Sequence, residues 1–187
     1  MFARRAGATT MVFTALALSG AAQAQTSPYV GQEKREIKAL SAQEVDDLLN
    51  ARGMALAKAA ELNGYPGPLH SIELADKLGL SLDQLRAVKD LKMSEEALAK
   101  PLGAEIVAVE RDLDQAFAKH VIDRERLRLL TGKLGELQGR LRAIHLAAHL
   151  NTIALFDARQ IARYNELRGY AGSAATGEHN PPPSHNR

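Results

Sequence analysis

Residues 123–150 read DRERLRLLTGKLGELQGRLRAIHLAAHL and carry apolar side chains at alternating steps of three and four. This apolar stripe comprises Leu127, Leu130, Leu134, Leu137, Leu141, Ile144 and Ala148. The spacing places all of them on one face of an α-helix and is typical of a helix that packs along another helix. Asp123 is the expected N-cap, because its carboxylate can accept from the free N–H groups of the first turn. The stretch predicts a long helix in an all-α fold.

Cap patterns divide the rest of the chain into further helices. Three tetrapeptides place Ser or Asp three residues before Glu or Gln: SAQE at 41–44, SLDQ at 81–84 and DARQ at 157–160. We expect the first helix to cover 41–62 and a short one to cover 69–78, and we expect Pro101 to kink or break the helix that starts after residue 81. No stretch alternates with period two, so we predict no sheet. The expected fold is an elongated helical hairpin of four to five helices.

The face of the 123–150 helix opposite the apolar stripe has its own pattern. Gly132, Gly135 and Gly139 lie together there, and Leu146, His149 and Ile153 continue the same face. Each glycine costs a helix about 1 kcal/mol relative to alanine. A hairpin partner can cover one face of the helix and a second copy of the chain the other, so we expect a homodimer. The alternative is that the glycines mark a weak, exposed helix.

Residues 1–24, MFARRAGATTMVFTALALSGAAQA, have the layout of a secretory signal peptide. A basic Arg-Arg pair precedes an apolar stretch over 11–18, and Ala-Gln-Ala at 22–24 is a small-x-small cleavage pattern. We expect export and cleavage near Ala24. The alternative is an N-terminal helix that is buried or anchors the chain in a membrane. The expected organisation is a signal peptide at 1–24, an N-terminal extension at 25–40, a helical domain at 41–170 and a disordered polar tail at 171–187.

Charge and composition exclude several classes of function. The chain has 24 Lys and Arg, 22 Asp and Glu and no cysteine, and residues 1–24 contain two arginines and no acidic residue. The exported chain would therefore be neutral, without the basic surface that binds nucleic acid. Without cysteine it cannot form disulfides or be lipidated on a new N-terminal cysteine. It also lacks a nucleophile elbow, an HExxH motif and a phosphate-binding loop, so we do not expect an enzyme.

Two histidines one helical turn apart, His145 and His149, are the main candidates for chemistry. Imidazoles at this spacing can share a divalent ion, and imidazole suits zinc, copper, nickel and cobalt. A closed zinc site takes four ligands, so others would come from another helix, a second protomer or the tail. His70 and Glu61 are weaker candidates. The alternative is a pair of solvated or hydrogen-bonded histidines without a metal.

Two five-residue motifs, LSLDQ at 80–84 and FDARQ at 156–160, carry a resemblance to a known family. The second continues as IARYNELRGY, and the segments NGYPGPLHSIELADKLGL and LRAIHLAAHL complete the pattern. Together with the signal peptide, over roughly residues 29–170, they resemble the Spy/CpxP-like periplasmic proteins with two LTxxQ motifs. That family includes zinc-resistance-associated proteins and periplasmic heavy-metal sensors. Ser and Asp stand here in the place of Thr, and Phe replaces one Leu.

The resemblance implies a periplasmic helical hairpin that dimerises into a cradle. It implies one of two functions: a metal-binding sensor or resistance protein in the envelope stress or metal response, or an ATP-independent chaperone that holds unfolded clients. An inner-membrane sensor or an anti-sigma protein would be the regulatory partner. The pair His145 and His149 favours the metal function, and the neutral charge differs from the basic cradle expected of a Spy-like chaperone.

Overall fold

The computed structural model describes residues 26–170, and this part of the chain is helical without a strand. Its α-helices are α1 (Ala42–Leu49), α2 (Lys58–Glu61), α3 (Pro68–Glu73), α4 (Ala75–Leu78), α5 (Leu82–Ala118), α6 (Arg124–Ile153) and α7 (Ala158–Leu167). A short 3-10 helix, Gln32–Lys34, precedes them. The predicted all-α fold is confirmed. The proposed signal peptide at 1–24 and the tail at 171–187, with His179 and His185, lie outside the described residues.

Helices α5 and α6 pack along each other in opposite directions. Glu95 of α5 contacts His145 of α6, and Glu105, further along α5, contacts Lys133, which comes earlier in α6. The two helices are therefore antiparallel. The apolar stripe of α6 faces this contact, and its central leucines at 134, 137 and 141 are buried. The helix–helix packing predicted from the spacing of three and four is confirmed.

Two apolar clusters form the core. The first comprises Ile37, Leu48, Ala51, Ala99, Leu102, Ile106, Val107, Leu134, Leu137 and Leu141. The second comprises Leu78, Val88, Phe156 and Tyr164. On α5, Val88 belongs to the second cluster and Ala99 to the first. The residues of α5 between these two positions belong to neither cluster. The buried polar residues Glu95, His145 and His149 occupy this intermediate level.

The prediction of one helix over 41–62 is wrong. Helix α1 ends at Leu49. Ala51, Met54 and Ala55 then have φ values of 52°, 44° and 58°, a left-handed backbone that a right-handed helix cannot contain. Alanine favours helix, but packing overrides propensity here, because Ala51 is buried in the first cluster at 2% exposure. The described chain has seven helices instead of four to five partly because this segment contains α1 and α2, and because the short helix over 69–78 is divided into α3 and α4.

The helix does not break at Pro101, which was one of the two outcomes expected there. Helix α5 continues through this proline for 37 residues. A proline inside a helix removes one backbone hydrogen bond and crowds the carbonyl four residues earlier. Pro101 and Ala97 both lie on the exposed side of α5, where water can solvate that carbonyl. Ala99 and Leu102 on the opposite side are buried in the first cluster, and this packing holds the helix together across the proline.

The predicted caps are confirmed. Ser41 with Glu44 and Ser81 with Gln84 form complete capping boxes, with hydrogen bonds in both directions. At α7 the same box forms at 157–160, where Asp supplies the cap. Asp123 caps α6 through the backbone N–H of Arg126.

The chain divides into two compact units after Val30. Of the first unit the structure describes residues 26–30, where the backbone N–H of Tyr29 donates to the Ser27 hydroxyl. In the second unit, the segment predicted as an N-terminal extension packs on α5. Ile37 is 3% exposed in the first cluster, and Lys38 pairs with Asp114 at 3.1 Å. Within residues 26–170, no helix combines the length and apolar character needed to cross a bilayer.

Candidate functional site

His145 and His149 lie on the core side of α6, at the level between the two apolar clusters. They are 2% and 9% exposed, so neither is a solvated surface histidine. The expected place of His149 on the back face with the glycines is wrong, because Tyr65 and Gly67 pack against its ring. Leu141 of the first cluster precedes them along the chain, and Phe156 of the second follows. A polar group at such a place destabilises the fold unless it has a hydrogen-bond partner.

The imidazole of His145 faces a carboxylate of α5. Its Nδ1 lies 2.5 Å from Oε1 of Glu95, and Oε2 of Glu95 accepts from Lys92 Nζ at 3.2 Å. Burial by itself would raise the pKa of Glu95, but the hydrogen bond from His145 and the charge of Lys92 outweigh it and lower that pKa. Glu95 is therefore held as a buried carboxylate that joins α5 to α6.

The imidazole of His149 faces the turn between α2 and α3. Its Nδ1 donates to the carbonyl oxygen of Tyr65 at 2.7 Å. Gly67 in the same turn lies against the other edge of the ring, where a Cβ atom would come within 2.8 Å of Nε2 and 2.7 Å of Cε1. Glycine at position 67 thus lets the turn close over the imidazole.

Glu61 forms the centre of a second polar cluster. Its Oε1 accepts from Tyr164 Oη at 3.0 Å, Tyr170 Oη at 3.2 Å and Arg168 Nε at 2.9 Å. Tyr164 is fully buried, and burial together with the neighbouring carboxylate raises the pKa of its phenol well above the ordinary value. Glu61 Oε2 lies 3.8 Å from His149 Nδ1. The C-terminal helix α7 is thereby tied to the short helix α2.

His70 lies at the surface of α3, with Nδ1 2.8 Å from Oε2 of Glu73. It lines a cleft of about 390 Å³ together with His149, Glu61 and Glu95. Of the four predicted ligands, His149, His70 and Glu61 therefore border one cleft. His145 is directed towards Glu95, which forms part of the same wall.

The histidine pair fits two ligands of a metal site. A metal-bound histidine ordinarily holds one ring nitrogen against a carboxylate or a backbone carbonyl and gives the other nitrogen to the metal. Nδ1 of His145 and of His149 have such partners in Glu95 and the Tyr65 carbonyl. Nε2 of His145 is buried without a hydrogen-bond partner, and the Nδ1 bond is the one hydrogen bond of His149 within the described chain.

The remaining ligands of such a site are not assembled. Among residues 26–170, no group of three or more His, Cys, Asp or Glu side chains is placed to hold one ion. A second protomer, the segment beyond residue 170 or a local rearrangement of the cleft would have to supply them.

Several residues of the site were missed by the sequence analysis. Glu95 had a signal, because it follows Val88 and precedes Ala99 on the buried face of α5, where an acidic residue needs a partner. Tyr164 and Arg168 had no such sequence signal, because they contact Glu61 from more than 100 residues away in the chain.

The chain has no significant match among protein-family models, curated proteins or solved structures.

Proposed function

We propose that this chain is a periplasmic metal-binding protein of the Spy/CpxP-like kind, a sensor or resistance protein in the metal or envelope stress response. In this proposal Nε2 of His145 and Nε2 of His149 bind a divalent ion of zinc, copper, nickel or cobalt. The observation that carries it is the orientation of the pair: both Nδ1 atoms are anchored, and the buried Nε2 of His145 has no partner. An unpaired buried polar atom is rare in a folded protein and calls for an explanation, such as an ion.

The contacts of the pair suggest how an ion would be sensed. His145 is joined through Glu95 to α5, and His149 through Tyr65 to the turn between α2 and α3. A metal on both Nε2 atoms would shift the two rings together and so move the turn relative to the α5–α6 pair. The change would pass to an inner-membrane sensor or an anti-sigma protein, the partner that the family resemblance suggests.

Calorimetric titration of the purified protein with zinc, copper, nickel and cobalt tests this proposal. We expect saturable binding of at least one ion, weakened in His145→Ala and in His149→Ala. His120→Ala is the matched control, because His120 lies in the loop between α5 and α6 and is exposed. Equal affinities in the wild type and the double variant at 145 and 149 would contradict the proposal.

A chaperone function is the second candidate, and exposed apolar side chains favour it. Phe117, Val121 and Leu129, near the turn between α5 and α6, are 52%, 53% and 55% exposed. A separate groove of about 520 Å³ is lined mainly by apolar residues such as Leu40, Leu56 and Ile106, together with Glu44, Gln138 and Arg142. Suppression of aggregation of a denatured protein, without ATP and with chelator present, would favour this function. No suppression at a several-fold molar excess would exclude it.

A further inference from the structure

The cleft beside His149 has properties that metal binding does not use. Its volume is about 390 Å³, within the range of sites that bind small molecules. Part of its lining is apolar: Met54, Ala55, Ala57, Leu62, Pro68 and Leu69. The lining also carries the charged side chains of Lys58, Glu61, Lys92, Glu95 and Arg168. Such a lining suits a ligand with one apolar end and one polar end.

The acceptors in the cleft are already engaged. Glu61 accepts from Tyr164, Tyr170 and Arg168. Glu95 is in contact with a histidine through one oxygen and with a lysine through the other. The two carboxylates of the lining therefore have little capacity left for a ligand that brings hydrogen-bond donors.

The donors, by contrast, are in excess. The guanidinium of Arg168 uses Nε for Glu61 at 2.9 Å, and within the described chain its two terminal nitrogens donate no hydrogen bond. The same group lies 5.9 Å from the centre of the Tyr170 ring. A guanidinium anchored through Nε, with its terminal N–H groups free, can pair with the two oxygens of a carboxylate.

The rim of the cleft is strained. Met54 and Ala55 are successive non-glycine residues with φ values of 44° and 58°. Left-handed backbone at non-glycine residues is strained, and such residues concentrate at ligand clamps and switch regions. The strain at this rim points to the same cleft as the free donors of Arg168.

We infer that this cleft binds a monocarboxylate with a small apolar body, its carboxylate on Arg168 and its apolar part against Met54, Leu62 and Leu69. The occupant is an organic acid and not a metal, so the inference stands independently of the proposed metal function. A ligand here would also cover the His149 side of the cleft, since His149 belongs to the same lining.

Titration with hexanoate in the presence of chelator, followed by calorimetry and by amide chemical shifts, tests the inference. We expect saturable binding with shifts in residues 53–70, and no comparable binding of hexylammonium, which has the same apolar chain with the opposite charge. Arg168→Gln should weaken hexanoate binding about tenfold or more, because it removes a charge-assisted pair. Arg163→Gln is the matched control, since Arg163 lies on α7, just before Arg168, and pairs only with Glu166 among the described residues.

Three results would overturn the inference: no saturable hexanoate binding up to about 10 mM, hexylammonium binding as tight as that of hexanoate, or equal affinity in a folded Arg168→Gln protein. If Arg168→Gln does not fold, the comparison of hexanoate with hexylammonium on the wild type decides the question alone. Chelator removes any bound ion from all these measurements, so their failure would leave the metal proposal intact.

Discussion

Gln84 and Gln160 exchange two hydrogen bonds through their side-chain amides. Nε2 of each donates to Oε1 of the other, at 2.9 and 3.0 Å. Each glutamine is also the third residue of a capping box, on Ser81 in α5 and on Asp157 in α7. Gln84 donates in addition to the carbonyl of Leu155 at 2.8 Å. The two copies of the cap motif therefore meet in space and join the N-termini of α5 and α7.

Alanine at either glutamine should destabilise the protein. Gln84→Ala removes a cap bond and the bonds to α7, so we expect a loss of about 2 kcal/mol in the free energy of unfolding. Urea unfolding monitored by circular dichroism measures it, and Gln138→Ala on the exposed face of α6 is the control. The Gln84→Ala, Gln160→Ala double variant should cost less than the sum of the two, because both remove the same pair. Strict additivity would show that the reciprocal amide pair contributes nothing.

Gly103 and Gly135 should respond to alanine in opposite ways. A Cβ at position 103 would lie 2.0 Å from the carbonyl oxygen of Leu48, a backbone atom of α1. We expect Gly103→Ala to lower the free energy of unfolding by about 3 kcal/mol or more. Position 135 has open space around it, so Gly135→Ala should raise the free energy by up to about 1 kcal/mol. Thermal and urea unfolding compare them, and similar effects of the two variants would argue against the close approach of α1 to α5.

The homodimer stays a prediction. Gly132, Gly135 and Gly139 each have open space where a side chain would be, so within one protomer they leave room on α6 for a partner. We expect a dimer in light scattering and its weakening in Gly139→Leu, with helicity retained. Gly53→Leu is a control outside this face, also with open space. A monomeric wild type at high micromolar concentration would contradict the prediction.

Glu95 should govern part of the acid stability. Its pKa is lowered in the folded protein from an ordinary value of 4.5, so the carboxylate stabilises the fold above that pH. The contribution is lost as the pH falls through the lower folded pKa. Glu95→Gln should therefore cost about 2 kcal/mol at neutral pH and progressively less in acid. Unfolding between pH 7 and 3, with chelator present, measures this.

Glu105→Gln is the control for the acid measurement, because Glu105 lies on the same helix with its side chain 52% exposed. A difference between the wild type and Glu95→Gln that stays constant from pH 7 to 3 would contradict the ionised state of Glu95.

Local signals predicted most of the helices. The caps at Ser41, Ser81 and Asp157 depend on side chains three residues away. The apolar stripe of α6 depends on spacing along one helix. Both features can therefore be predicted from residues that are close together in the sequence. The end of α1 is different. Alanine favours helix, but Ala51 has a left-handed backbone and packs in the first apolar cluster. The continuity of α5 through Pro101 likewise depends on packing from α1 and α6.

The histidine pair was predicted from its spacing, but its surroundings were not. Glu95 lies 50 positions before His145, and Tyr65 lies 84 positions before His149. No local sequence pattern predicts either contact. The same holds for the cluster around Glu61, whose partners lie on α7 and just beyond it.

Zinc titration of protein labelled with ¹⁵N in its histidine side chains tests the metal proposal most directly. We predict that Nε2 of His145 and Nε2 of His149 take the shift of a metal-bound nitrogen while both Nδ1 atoms keep their protons. His120 serves as the internal control and should change little. The shifts should weaken as the pH is lowered, because imidazole must be deprotonated to bind a metal. Zinc-induced shifts confined to other histidines, including His179 and His185, would contradict the proposal.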